Sequence, residues 1–322
     1  MRFLTDSPIL IKVLLIVLAP LFMLGLFMLD GIQQAYRNQA SMQTMLQAAD
    51  LSRTVASLVS ELQKERGMTA GFLGSSGRKF SGKLKLQRLA VNRAFSAYKV
   101  SAEKSMPLMD AFPALHTIND NFRQDMMHLK GIRHSVDKLN ITVADELTYY
   151  IGLVDALMQT SNTIRVIYTF GNDSDNAPDA EQLITPNAIF SGLLSSFILL
   201  GRAGEAAGIE RAVLSNTFGL GHFGPNMYER FVALVSRQQH ALQAFSLQSS
   251  EPVRRIFSSI YTDEAVVEVE RFRDIAMKKN PGDGFGVDPE QWFHVSTKRI
   301  ELLQQIEGEL VELINSHSRL GV

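Results

Sequence analysis

The sequence predicts an all-α protein: antiparallel helical bundles, two of them sharing long helices, behind an N-terminal transmembrane helix. Three observations carry that expectation. Apolar residues recur at three- and four-residue steps along most of the 322 residues, and alternating strand patterns are absent. Glycine and proline gather at a few breaks: Gly74-Ser75-Ser76-Gly77, Met106-Pro107, Phe112-Pro113, Gly171 to Pro178, Thr185-Pro186, Gly219 to Pro225 and Asn280 to Pro289. Between those breaks lie stretches of ordinary helix length or longer, giving roughly eight to ten helices. Finally, Ile9 to Leu29 is apolar and carries no charge after Lys12, enough for a helix to cross a hydrocarbon core of about 30 Å.

The first element is read as an uncleaved anchor. No small-residue cleavage pattern follows Leu29; the chain continues Asp30-Gly31-Ile32-Gln33-Gln34. Arg2 and Lys12 lie on its N-terminal side and Asp30 on the other, so the positive-inside bias places residues 1–8 in the cytoplasm and residues 30–322 outside the cell membrane of a bacterium. A first soluble helix is expected to run directly on, with no Pro or Gly between Ile32 and Arg66. Phe190 to Leu200 is broken by Gly192, Ser195 and Ser196 and reads as a buried helix of the folded part; Arg299 to Leu313 reads as an amphipathic one.

Composition removes several function classes. There are 32 Lys+Arg against 33 Asp+Glu, so the chain lacks the basic footprint of a nucleic-acid binder. With no cysteine there is no disulfide framework, thiolate metal site or cysteine nucleophile. The histidines, His116, His128, His134, His222, His240, His294 and His317, show no metal-ligand spacing. Gly74-Ser75-Ser76-Gly77 follows no strand and is no nucleophile elbow; Gly219 to Pro225 matches no phosphate loop; Asp173, Asp175 and Asp179 lack calcium-loop spacing. A binding protein without cofactor or catalytic apparatus is the expectation.

Two arginines interrupt apolar seams. The first long helix presents Leu51, Val55, Leu58, Leu62, Arg66, Thr69 and Leu73; the helix after Pro186 presents Leu193, Phe197, Leu200, Gly204, Ala207, Arg211, Leu214 and Phe218. The surrounding text is alike, Glu65-Arg66-Gly67 and Glu210-Arg211-Ala212, as in a degenerate internal repeat. Small residues, Gly67, Ala70 and Gly71 on one side and Gly201, Gly204 and Gly208 on the other, let helices approach closely. A buried guanidinium keeps its charge and needs a partner. Core ion pairs with Glu65, Glu210 or another carboxylate would satisfy each arginine in a ligand-free scaffold. A pair converging from two helices would instead form a site for a small planar anion, because two N–H donors of a fork face two oxygens.

The stretch Leu62-Gln63-Lys64-Glu65-Arg66-Gly67-Met68-Thr69-Ala70-Gly71-Phe72-Leu73 resembles the hallmark of the nitrate- and nitrite-sensing (NIT) domain, and Gly208-Ile209-Glu210-Arg211-Ala212 resembles that family's second conserved patch. The resemblance covers about Leu51 to Leu247. It implies an all-α fold of two helical bundles that binds nitrate or nitrite through arginines on facing helices, in bacterial chemoreceptors, histidine kinases, cyclases and antiterminators. Carried onto this sequence, Arg66 and Arg211 are the anion clamp. Glu65 and Glu210 are expected to orient the guanidinium groups, and Thr69 to offer a hydroxyl. Arg53, Arg165 and Arg202 are weaker auxiliaries. Together with the anchor, the resemblance implies the extracytoplasmic sensor of a transmembrane receptor, homodimeric by analogy, signalling by helix displacement.

Overall fold

The computed structural model describes residues 23, 27–28, 47–170, 185–278 and 284–320. The described residues are helical almost throughout and contain no strand. The first described helix, α1, covers residues 47–74. It is followed by α2 (Ser81–Lys104), α3 (Met106–Ala111), α4 (Pro113–Asp137), α5 (Val143–Phe170), α6 (Thr185–Leu220), α7 (Met227–Gln248), α8 (Glu251–Ile260), α9 (Glu264–Lys278) and α10 (Pro289–Leu320).

Several of the predicted breaks are helix starts rather than loops. Pro107 and Pro113 occupy the first turns of α3 and α4. Proline lacks an N–H, but the first turn of a helix has no intrahelical acceptor for one. The Gly171 to Pro178 break lies outside the described residues, as does the expected anchor at 9–29 apart from Met23, Phe27 and Met28. Among the described residues no helix is long and apolar enough to cross a membrane.

The helices fall into two successive sets of five. Leu51, Leu58 and Leu62 of α1 pack with Tyr98, Phe122, Tyr150 and Leu157 from α2, α4 and α5 in one apolar core. In the second set, α6 packs with α7, α9 and α10 around Phe218, Phe231, Phe272 and Trp292, and with α8 around Phe245, Val253 and Leu303. Ala70 of α1 and Leu147 of α5 join the core of the second set, so the two sets interlock.

The interlock is a close pairing of α1 and α6, the leading helix of each set. Gln63 and Arg66 meet Glu205, Gln63 also meets Arg211, and Ala70 meets Asn216. Further along, Gly67 of α1 meets Arg211, Ala70 meets Asn216 and Gly74 meets Gly219 of α6, so the two helices run parallel. This departs from the antiparallel packing expected throughout. Short loops force antiparallel neighbours only between consecutive helices; α1 and α6 are far apart in sequence and occupy equivalent places in their sets.

Close approach requires glycine at two points. A Cβ on Gly208 would lie 2.7 Å from Arg66 Nη2, and one on Gly67 would lie 2.8 Å from the Phe293 ring and 3.1 Å from Arg211 Nε. Each arginine therefore reaches across onto the glycine of the other helix. From Ala203 to Phe218, α6 is buried on every face, which its run of small residues permits.

Candidate functional site

Arg66 and Arg211 are completely buried, at 0% and 1% exposure, and face one another across the α1–α6 seam. Their partners differ in kind. Arg66 donates from Nη1 to Glu205 Oε1 at 2.6 Å and from Nη2 to Oε2 at 3.3 Å. The Gln63 amide donates to the same carboxylate at 2.6 Å. Arg211 has only neutral partners: Nη1 donates to the Thr297 hydroxyl and Nη2 to the Gln63 carbonyl, both at 2.7 Å. Its guanidinium stacks on Phe293, 4.7 Å from the ring centre.

Charge therefore does not balance locally. Arg66 has a carboxylate and Arg211 has none. Burial and then the neighbouring Arg66 push the Arg211 guanidinium down to about 9, with Glu205 and Glu301 opposing more weakly. It is still charged at neutral pH, so the depression measures how poorly the fold compensates it. Among the described residues, Nε of both arginines and Oγ1 of Thr69 have no hydrogen-bond partner. Buried donors in that state are costly, and the two arginines among them meet at one seam.

Glu65 and Glu210 serve a different purpose from the expected one. Consecutive helical residues point about 100° apart, so each glutamate faces a neighbour other than the one its arginine faces. Glu65 is held by both forks of Arg133 at 2.7 Å and by the Tyr150 hydroxyl at 2.8 Å, with Arg88 3.7 Å away. Glu210 is held by Arg273 at 2.6 and 2.7 Å and by the Gln238 amide at 2.7 Å, with Arg299 3.9 Å away. In each set the clamping residues come from the second, fourth and fifth helices: Arg88, Arg133 and Tyr150 in the first, Gln238, Arg273 and Arg299 in the second. The repeat read in the Glu-Arg dipeptides extends to the whole buried polar network.

A family model described as nitrate and nitrite sensing (NIT) matches residues 57–315. This chain belongs to the NIT family. A nitrate regulatory protein of Klebsiella oxytoca is 24% identical over 277 residues, covering 86% of this chain but only 65% of that protein. A solved structure of the NasR transcription antiterminator aligns with a TM-score of 0.68 at 22% identity, over 91% of this chain and 74% of that one. That likeness establishes the NIT fold. Both relatives are regulatory proteins by name, one of them a transcription antiterminator, and neither name describes a membrane receptor.

Those relatives correct the extracytoplasmic receptor reading. Together with the lack of a membrane-crossing helix among the described residues, they overturn the assignment of residues 30–322 to the far side of a membrane and leave a membrane partner without support; the run at 9–29 itself lies outside the described residues apart from Met23, Phe27 and Met28. The apolar run at Ile9 to Leu29 and the charge pattern around it were the only grounds for it. The homodimer, inferred by analogy with receptors, loses its basis as well. The argument against nucleic acid from balanced charge applies to this chain's composition and not to the longer regulatory relative.

Of the remaining site residues, Arg66 and Arg211 meet at the seam of this NIT fold, and Thr69 is fully buried one turn beyond Arg66 on α1. Arg53 is exposed and pairs with Asp50. Arg202 is exposed on α6, where it lines a groove one turn from Glu205. Arg165 lies outside the residues with described side chains. Sequence reasoning missed Glu205, Gln63 and Thr297. Gln63 stood inside the quoted hallmark, one turn before Arg66. Glu205 was the one acidic residue in Gly201-Arg202-Ala203-Gly204-Glu205-Ala206-Ala207-Gly208, an anomaly in a run built for close packing.

Glu146 on α5 was also missed. It is completely buried, and neither of its carboxyl oxygens has a hydrogen-bond partner among the described residues. Burial pushes it well above the ordinary value of 4.5; Arg66 and Arg230 pull it down and Glu65 pushes it up. A carboxyl that holds its proton more tightly when folded stabilises the fold most at pH below 4.5 and loses that contribution as pH rises towards its folded value. Glu146→Gln is therefore expected to match wild type at acid pH and exceed it increasingly as pH rises. Denaturation midpoints taken from about pH 5 to about pH 9 check this; parallel curves for the two proteins would refute it.

Proposed function

We propose that this chain is the sensing module of a regulatory protein, and that it binds nitrate or nitrite in the α1–α6 seam between Arg66 and Arg211. Family membership supports the ligand class. The observation that carries the location is Arg211, a fully buried cation whose partners are a hydroxyl, a carbonyl and an aromatic face. A small planar anion gives Arg211 a charged partner at low desolvation cost. It also offers acceptors to the Nε donors of both arginines and to the Thr69 hydroxyl, which otherwise have none.

Signalling follows from where the site lies. The anion bridges Arg66 of α1 and Arg211 of α6, and these helices lead the two halves of the fold. Ligand shifts the equilibrium only by its differential affinity for the two arrangements; a seam in which Glu205 reaches Arg66 but not Arg211, while a free oxyanion can face both, provides that difference. The unit concerned runs through residues 47–320, of which the family match covers 57–315. By analogy with the nitrate regulatory protein and the antiterminator, the output is control of gene expression.

Calorimetry on the full chain with sodium nitrate, sodium nitrite and sodium chloride tests the reading. Saturable heat with nitrate or nitrite, and much less with chloride, is expected. No heat and no thermal shift with either oxyanion would favour the competing reading, a ligand-free helical scaffold, for which the Arg66–Glu205 pair is the one supporting observation.

A further inference from the structure

Glu205 occupies the position that a ligand of Arg66 must take. Its carboxylate fills both terminal nitrogens of that arginine and receives the Gln63 amide. It also touches solvent, at 8% exposure, while both arginines are fully buried. A groove of about 540 Å³ between α5, α6 and α7 is lined by Glu205 together with Asp155, Arg202, Arg237 and His240, but not by Arg66 or Arg211. An anion approaching from this groove meets Glu205 before it meets either arginine. Around the arginines, glycine is needed for the helices to pass at all, so little space remains for a guest beside the carboxylate.

We infer that Glu205 is a built-in competitor: the incoming anion displaces its carboxylate from Arg66 into the groove, so that Glu205 sets the affinity of the site. The inference rests on the function proposed above. The exchange has a direction. Glu205 is tethered to α6 and is bonded to Arg66 alone, leaving Arg211 without an anion, whereas an untethered oxyanion can face both arginines. In the groove, Arg202 one turn earlier on α6 and Arg237 on α7 have no ion-pair partner among the described residues and can receive the freed carboxylate. Asp155 opposes it; burial and Glu205 already hold the Asp155 carboxyl above its ordinary value. Release of Glu205 also frees the Gln63 amide, leaving Gln63 of α1 joined to α6 by its carbonyl bond from Arg211, so the swap itself changes how the two helices are joined.

The test is nitrate titration of the full chain by calorimetry in wild type, Glu205→Gln, Arg237→Gln and the double variant. Glu205→Gln is expected to bind nitrate at least tenfold more tightly, because a neutral amide competes poorly for a guanidinium. Arg237→Gln is expected to weaken binding several-fold in wild type and to have no effect in the Glu205→Gln background, where no charge needs a receiver. Nitrate binding to wild type with equal or weaker affinity in Glu205→Gln overturns this inference and leaves the function standing; so does an Arg237→Gln effect of the same size in both backgrounds. If neither wild type nor Glu205→Gln binds nitrate, the proposed function fails with it. Should Glu205→Gln not fold, Glu205→Asp keeps the charge but shortens the reach to Arg66, and is expected to tighten nitrate binding; unchanged or weaker affinity overturns the inference.

Discussion

Arg211→Met is expected to stabilise the fold while abolishing the response to nitrate, and Arg66→Met to destabilise it. Both arginines are buried and interrupt matching seams, so their sequence contexts do not separate them. Their partners do. Removing Arg211 takes away a charge that no carboxylate offsets. Keeping such an ion dry costs several kcal/mol, against about 0.5–2 kcal/mol for its cation–π contact with Phe293. Thr297 is left satisfied, because its hydroxyl also donates to the Phe293 carbonyl at 2.7 Å. A net gain of about 1–3 kcal/mol follows. Removing Arg66 instead leaves the Glu205 carboxylate, at 8% exposure, with the Gln63 amide and a move into the groove towards Arg202 and Arg237 as its only compensation, and is expected to cost less than the roughly 3–5 kcal/mol of a fully stranded buried charge. Urea denaturation without ligand measures both, and nitrate calorimetry on Arg211→Met measures the loss of function. If Arg211→Met proves as destabilised as Arg66→Met, the claim that Arg211 is uncompensated in the empty site is wrong.

Arg273→Met is expected to be among the most damaging single substitutions, costing about 3–5 kcal/mol. Glu210 is 1% exposed and receives two charged hydrogen bonds from Arg273, itself 3% exposed. The Gln238 amide and Arg299, 3.9 Å away, compensate the stranded carboxylate only in part. Adding Glu210→Gln should recover most of the loss, because the larger cost is the unpaired buried charge and not the missing contact. Arg133→Met in the first half should cost less. Arg133 is 14% exposed, and Arg88 remains 3.7 Å from Glu65. Denaturation of the four proteins decides it: a double variant no more stable than Arg273→Met would mean that packing, not charge, dominates at Glu210.

The helices themselves were legible because their cause is local. Apolar spacing in Leu51, Val55, Leu58 and Leu62, and the breaks at Gly74 to Gly77 and Gly219 to Pro225, survive into the structure with small shifts. Pro107 and Pro113 were misplaced as loop residues for a local reason too: proline ends one helix pattern and begins the next, and composition alone does not say which. The extracytoplasmic receptor reading shows the opposite hazard, since the hydropathy of Ile9 to Leu29 reports the length of an apolar run and not the protein in which it works.

The sequence by itself determined the all-α class, the two buried arginines with their matching contexts, and the family that the Glu65-Arg66-Gly67 stretch announces. Tertiary structure alone decided the pairing. It placed α1 parallel to α6, turned Glu65 and Glu210 away towards Arg133 and Arg273, gave Arg66 a carboxylate and left Arg211 without one. A helix pattern states which face a residue occupies, and that is a matter of a few neighbours in the chain. Which charge meets that face depends on the helices packed against it, contributed by segments 63 to 139 residues away.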